Sequence, residues 1–296
     1  MASQPREPTA RQVRLGRVLK ALRVDGGHGS QDSVAEALGW SESKVSRIES
    51  AKIGITDHDL TRLLDLYQLD NEDQQAYIWQ LKRGGNQPGW ESKVRRTVPS
   101  GYADYIGYED YAVETYNVET VLIPGLLQTR EYAAAILDHH LPDLAKDERE
   151  ARLTIRERRQ AVFSRPTPLI FWGVVSESAF RHVIGSREIM AAQLEHLVTT
   201  GEKHPHTIHL LVLPEAAASH AALFGGSFVV LSFPERWEPD IVYVEGLTST
   251  RFIKDSAEVR EYGQLFRRLM ADALRGAESA ALIRKYRDSY NKGQVP

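Results

Sequence analysis

The chain has 296 residues, 42% of them hydrophobic and 26% charged, which is enough apolar sequence for a substantial core and a length that favours two domains over one. The absence of cysteine excludes disulfides, thiolate zinc sites, iron–sulfur clusters and a cysteine nucleophile, and no apolar run approaches the ~20 residues of a membrane-spanning helix. The formal net charge of −3 is unevenly divided: from Met1 to Lys52 nine cations face six anions, a net of +3 that leaves −6 for the rest, a basic head on an acidic body that suits phosphate attraction confined to one end.

The opening MASQPREPTARQ lacks the apolar segment of a secretory signal, so a cytoplasmic, nucleoid-associated protein is expected. From Arg11 to Arg23, Val13, Val18, Leu19 and Leu22, with Leu15 alongside, recur at helical spacing while the arginines fall largely on the other side, predicting an amphipathic helix that ends between Asp25 and Gly29. A second, short helix over Gln31–Leu38 is broken by Gly39, and Ser41 is placed to cap a third running to about Ser50. Thr56 and Asp59 read as a capping box that opens a fourth helix through Leu60, Leu63, Leu64 and Tyr67. A fifth begins near Asn71 and is expected to bury Ala76, Tyr77, Trp79 and Leu81. These five helices set a first domain over 10–83, followed by a linker over 84–101, GGNQPGWESKVRRTVPSG, whose Gly, Pro and polar residues break any period.

Beyond the linker, over 102–292, the pattern is mixed. Runs rich in branched and aromatic residues predict strands over Ala112–Ile123, Leu169–Val175, Thr207–Leu213, Ser227–Phe233 and Asp240–Val244. Helical periods separate them over Glu131–Leu137, Asp147–Phe163, Glu188–Thr199, Ala257–Leu274 and Glu278–Tyr290, so the fold class is an all-α head followed by a mixed α+β body.

The segment that carries chemistry is QDSVAEALGWSESKVSRIES, Gln31 to Ser50. Two helices meeting steeply across a tight turn need a small residue at the contact, a residue tolerant of left-handed geometry at the bend, and apolar residues that lock each helix to the core. Ala35 supplies the first, Gly39 the second, and Val34, Leu38, Trp40, Val45 and Ile48 the third. Ser41 stands at the start of the second helix of the pair, and Glu42, Ser43, Lys44, Ser46 and Arg47 are left facing outward on it, where they can enter a major groove.

This pattern resembles the phage-repressor-like (XRE, Cro/repressor) helix-turn-helix family, which Gln31, Ala35, Gly39 and the ending SRIESAK, Ser46 to Lys52, match over about Arg11 to Leu69; Trp40 departs from it, being bulkier than the usual small aliphatic residue. The resemblance implies a five-helix, lambda-repressor-like head that binds a double-stranded DNA operator, with Gln31 on backbone phosphate and Glu42, Ser43, Lys44 and Arg47 near base edges. Arg47 suits bidentate capture of guanine O6 and N7, whereas Glu42 can accept only from cytosine N4. The body resembles the C-terminal domain of many actinobacterial regulators, including the WhiJ type, through Tyr116 to Leu137 with its PGLLQT stretch, Arg152 to Gln160, Leu213 to Glu235 and Asp240 to Gly246. That resemblance implies an antitoxin-like arrangement in which the body answers to a small protein partner encoded nearby. A homodimer is expected, because one short recognition helix contacts few base pairs.

Other chemistries find weaker support. His204 and His206 of HPHTIH would share a strand face, with His209 close by, but Pro205 between them and the lack of a nearby acidic ligand argue against a metal. Glu177 and Glu245 stay unassigned, Ser176 and Ser178 lack a GxSxG elbow, and neither a Walker A sequence nor a GxGxxG after a strand is present, so no enzyme and no cofactor is expected. Arg149, Arg152, Arg156, Arg158 and Arg159 alternate with Glu148, Glu150 and Glu157, the pattern of an exposed, salt-bridged helix rather than a second DNA contact. Gly225 and Gly226 predict a hairpin turn. Two alternatives remain open: a small-molecule sensor with an apolar pocket in the body, and an enzyme that the head merely tethers to DNA.

Overall fold

The computed structural model describes residues 10–85, 97–217, 226–233, 238–246 and 249–293. Residues 86–96 of the expected linker and Gly225 of the expected turn therefore lie outside the described residues. The chain divides into two compact units, residues 1–96 with 234–239, and residues 97–233 with 240–296.

The first unit is all-α: α1 (Ala10–Asp25), α2 (Gln31–Leu38), α3 (Glu42–Glu49), α4 (Asp57–Leu66) and α5 (Glu72–Gly85). Each of the three middle helices starts on a side-chain cap that satisfies an otherwise orphaned amide: Ser30 accepts from Ser33 N–H, Ser41 from Lys44 N–H, and Thr56 from Asp59 N–H. Gly39 ends α2 at φ +65°, where its N–H reaches the Glu36 carbonyl (3.1 Å) and Trp40 N–H the Ala35 carbonyl (2.8 Å), the paired bonds of a Schellman turn. The turn points Val34, Ala35, Leu38, Val45 and Ile48 into one core with Leu15, Val18, Leu19, Leu60, Leu63 and Ile78. Two expectations about this core are corrected. Ala76 is exposed, and Ile78 takes the buried position on α5. Nor do the arginines of α1 all face solvent: Arg14 and Arg23 are buried, each spanning a carboxylate of its own unit. Arg14 donates through Nε and Nη2 to Glu238 (2.8 Å each), with the Tyr77 hydroxyl bonded to both partners. Helical periodicity marks where a cation sits but not whether a carboxylate waits for it.

The second unit carries a six-stranded mixed sheet in the order β3-β2-β1-β4-β5-β6. Its strands are β1 (Glu114–Glu119), β2 (Ile170–Ser176), β3 (Ile208–Leu213), β4 (Phe228–Ser232), β5 (Ile241–Glu245) and β6 (Thr250–Ile253). β1, β2 and β3 run parallel, while β4, β5 and β6 pair antiparallel from the other side of β1. α6 (Ser100–Tyr111) precedes β1, α7 (Arg130–His140), α8 (Lys146–Arg159) and α9 (Arg187–Lys203) lie between strands, and α10 (Ser256–Asp272) and α11 (Gly276–Asn291) follow the last. Side chains alternate across the sheet. Val118, Val174, Leu211, Phe228, Val230 and Val242 form one face, closed by Phe266 and Leu269 of α10. The architecture is thus the expected all-α head and α+β body. The first predicted strand is shorter than expected, because Ala112 closes α6 and the chain bends after Glu119. α6 and β6 were not anticipated. α6 buries Ala103, Tyr105, Ile106, Gly107, Tyr108 and Glu109 around most of its circumference, so no one-sided apolar stripe betrays it. Among the described residues no helix is long and apolar enough to cross a membrane.

The exposed arginine helix expected over Asp147–Phe163 is α8 and a 3-10 turn, and most of its charges pair at the surface, Arg149 with Asp138 and Arg152 with Glu148. Arg159 departs from that reading. It is buried, bonds Glu109 of α6 through Nε (2.7 Å) and Nη2 (2.8 Å), and lies 5.3 and 5.2 Å from the rings of Tyr102 and Tyr105.

Gly16 carries a packing requirement inside α1. A Cβ there would stand 2.4 Å from the Glu49 carbonyl oxygen and 2.9 Å from that of Ile48, so only glycine lets α1 pass the end of α3. Gly16→Ala is expected to cost about 1–3 kcal/mol by overpacking, read as a lower urea midpoint of the full chain by circular dichroism; an unchanged midpoint would show that the two helices do not need this approach.

Candidate nucleic-acid interface

α3 is held from three sides, and what remains uncovered is the candidate surface. Val45, Ile48 and Glu49 are buried, whereas Ser41, Glu42, Ser43 and Arg47 are exposed and Lys44 and Ser46 half-buried. Glu49 is the anchor. Its carboxylate accepts Arg23 Nε (2.6 Å) and Nη2 (3.0 Å) from α1 and Gln31 Nε2 (2.7 Å) from α2, while Arg23 Nη1 also reaches the Gly29 carbonyl (2.9 Å). The hydrogen bonds to Glu49 hold the Arg23 guanidinium above its usual range, against the desolvation that opposes its charge.

The expected contact residues are not equivalent. Ser41 is engaged as the cap of α3, and Gln31 gives its side-chain N–H to Glu49. Lys44 is tied down, with Nζ 3.0 Å from Asp59 and 4.0 Å from the centre of the Trp40 ring. Burial pushes the Asp59 carboxyl up, but the hydrogen bonds from Lys44 and Thr56 and the charge of Lys44 outweigh it and hold the group below the usual carboxylate range. Trp40, the departure from the family pattern, packs on the core between Lys44 and Arg62, whose Nη2 donates to the Leu38 carbonyl (2.7 Å) and covers the end of α2. Arg47 projects from the exposed face, and its guanidinium makes no ion pair or hydrogen bond among the described residues. Lys20 and Lys52 are likewise exposed and unpaired among those residues. Part of the basic charge of the head is therefore spent internally on Arg14, Arg23 and Lys44. Sequence reasoning passed over Glu49, although it stands four residues after Val45 on the inward face, a position where a carboxylate calls for a buried cation.

In the second unit the residues weighed for other chemistry are scattered among structural tasks. His204 ends α9 and His206 lies in the following turn, so the two do not share a strand face, while His209 on β3 stacks on Trp172 at 3.9 Å. Among the described residues no group of three or more His, Cys, Asp or Glu is arranged to hold a metal ion. Glu177 accepts from the Tyr286 hydroxyl (2.7 Å) and Glu215 N–H (2.9 Å), and Ser178 Oγ donates to the Thr120 carbonyl (2.6 Å). The carboxyl that feels Glu245 is Glu119, at the end of β1. Desolvation, with the charge of Glu245 added, pushes it up to about 7 against the opposing hydrogen bond of Ser227.

Two family models match the chain. A helix-turn-helix domain matches residues 14–76, and a domain of unknown function, DUF5753, matches residues 102–285. No curated protein and no solved structure matches significantly. The helix-turn-helix match supports a DNA-binding transcription regulator.

Two measurements check these electrostatic assignments. Glu49→Ala leaves the buried Arg23 without its counter-charge and is expected to destabilise the full chain by about 3–5 kcal/mol in urea denaturation; a loss below about 1 kcal/mol would mean that the pair is solvated. For Glu119, the folded value of about 7 lies above the ordinary 4.5, so its share of stability is complete below the unfolded value and is lost as pH rises through the folded one. Raising the pH from about 5 to about 8 should lower the melting temperature of the wild type more than that of Glu119→Gln, and parallel declines would count against the shift.

Proposed function

Since the chain belongs to the family of the domain of unknown function DUF5753 and carries a helix-turn-helix domain ahead of it, we propose that it is a sequence-specific transcriptional repressor or antitoxin-like autoregulator of the phage-repressor-like (XRE) and WhiJ type. In this reading the head binds an operator in double-stranded DNA and the body binds a small protein partner encoded nearby or mediates assembly. The protein acts in the cytoplasm on the nucleoid, as a homodimer, and catalyses no reaction. The observation that carries the reading is Arg47: an exposed guanidinium without a partner among the described residues, on a capped helix set behind a left-handed turn. That is the geometry and chemistry that grip a guanine edge in a major groove. Lys44, bound to Asp59 and Trp40, contributes to the electrostatic field more than to base reading. Two-fold symmetry supports specificity, since a pair of half-sites one helical turn apart multiplies the discrimination of one short helix.

Selection of bound duplexes from a random library is expected to enrich a site with two related halves. On that duplex Arg47→Ala should weaken binding by about 1–3 kcal/mol while a salt-sensitive, sequence-independent component persists. Undiminished operator affinity in this variant, with its circular dichroism intact, would remove Arg47 from the interface.

A further inference from the structure

The body holds a cavity of about 630 Å³ around the outer edge of β3. β3 is an end strand of the sheet, so the side chains on its two faces and the main chain at its edge all border this space. Leu197 and Val198 of α9 form one wall, Met270 of α10 another, and Ile283 of α11 a third. The volume falls within the range of pockets that enclose small organic molecules, and the lining is mostly apolar with a few polar groups, as such pockets are.

The decisive polar groups belong to the backbone. Phe171 N–H of β2 donates to the Thr207 carbonyl (2.7 Å), so in this parallel ladder Thr207, His209, Leu211 and Leu213 turn their main chain toward β2, and Ile208, Leu210 and Val212 turn theirs outward. The neighbours of Leu210 in that outward row are capped by the protein itself, Val212 at both groups and Ile208 at its N–H. Ile208 N–H donates to the His204 carbonyl (2.9 Å), Val212 N–H to Ser279 Oγ (3.1 Å), and the Val212 carbonyl accepts from Leu274 N–H (2.8 Å). The N–H and C=O of Leu210 have no hydrogen bond among the described residues. They are left as an adjacent donor and acceptor on the edge strand, bordering a mostly apolar cavity and available to a ligand. An added peptide strand would need several such residues in a row, and the Leu274 and Ser279 caps stop it at Val212. A flat aromatic surface completes the site: the Trp172 and His209 rings stack at 3.9 Å, and the indole is fixed by its N–H bond to Glu114 (2.8 Å).

We propose that this cavity binds a small, flat, largely apolar molecule with a hydrogen-bond donor beside an acceptor, as in a lactam or an amino-substituted heteroaromatic ring, read by the main-chain N–H and C=O of Leu210. The inference stands apart from the DNA reading, and no DNA enters its test. Isothermal titration of the full chain with 2-quinolone, a flat lactam, is compared with its N-methyl analogue, which lacks the donor. The lactam is expected to bind once per chain, and the N-methyl analogue about tenfold or more weakly by comparison. Gly201→Phe should weaken the lactam by about tenfold or more with an unchanged circular dichroism spectrum, because a Cβ at this cavity-lining glycine meets nothing within 4 Å and the added ring enters the cavity. If that variant does not fold, Ala280→Trp fills the space from α11 and gives the same readout. Equal affinity for the two ring compounds, undiminished affinity in the filled variant, or no heat at millimolar lactam each overturns the proposal; so does saturation by an extended peptide in place of the lactam, which would assign the edge to strand addition.

Discussion

Three helices of the head converge on the carboxylate of Glu49. Arg23 brings the end of α1 to it, Gln31 the start of α2, and the residue itself closes α3, while Gly16 allows α1 to pass within contact of its carbonyl. A buried ion pair is a weak source of net stability, since desolvation consumes much of the attraction, but its geometry is demanding and its disruption is costly. Here the geometry sets the rotation of α3. With Glu49 pointed inward beside Val45 and Ile48, the opposite side of the helix is Ser43 and Arg47, with Glu42 exposed at its first turn. The surface proposed to read DNA is thus oriented by an interaction that touches no DNA.

The body uses the same device with different residues. Arg159 and Glu109 pair out of water between Tyr102 and Tyr105, which lets α6 and α8 meet through charge where an apolar contact alone would leave their sliding undefined. Gly125, within the PGLLQT stretch, packs against this pair: a Cβ there would lie 3.4 Å from the Arg159 guanidinium, in ordinary contact with it. The rest of the PGLLQT stretch has structural roles as well. Gln128 donates to the Ile123 carbonyl and accepts from Arg156, and Thr129 caps α7.

Much of the head was legible because its signals are local. Caps at Ser41 and Thr56, the left-handed glycine at Gly39 and the apolar period each depend on residues a few positions apart. The candidate site was legible as a surface but not as a set of free groups. The partners of Lys44 and Gln31 lie on other helices, and no spacing within Gln31 to Ser50 announces Asp59 as a counter-charge. In the body, the strands that cross the sheet interior stood out by their branched and aromatic runs, whereas the four-residue β6 is too short to show a period. α6 was hidden because burial on most sides erases the contrast between faces, and the fate of Arg159 because a charge pattern looks the same whether its partners are water or protein.

The placement of β1 has a consequence for biosynthesis. The strand at the centre of the sheet finds its parallel neighbour β2 first, but its antiparallel neighbour β4 is made only after α9 and β3 have emerged. Until then a growing chain on the ribosome presents β1 with one edge open, the condition that invites pairing with other chains and capture by chaperones. The delay extends to the head, whose α1 is translated first while Glu238, the carboxylate that receives Arg14, follows β4.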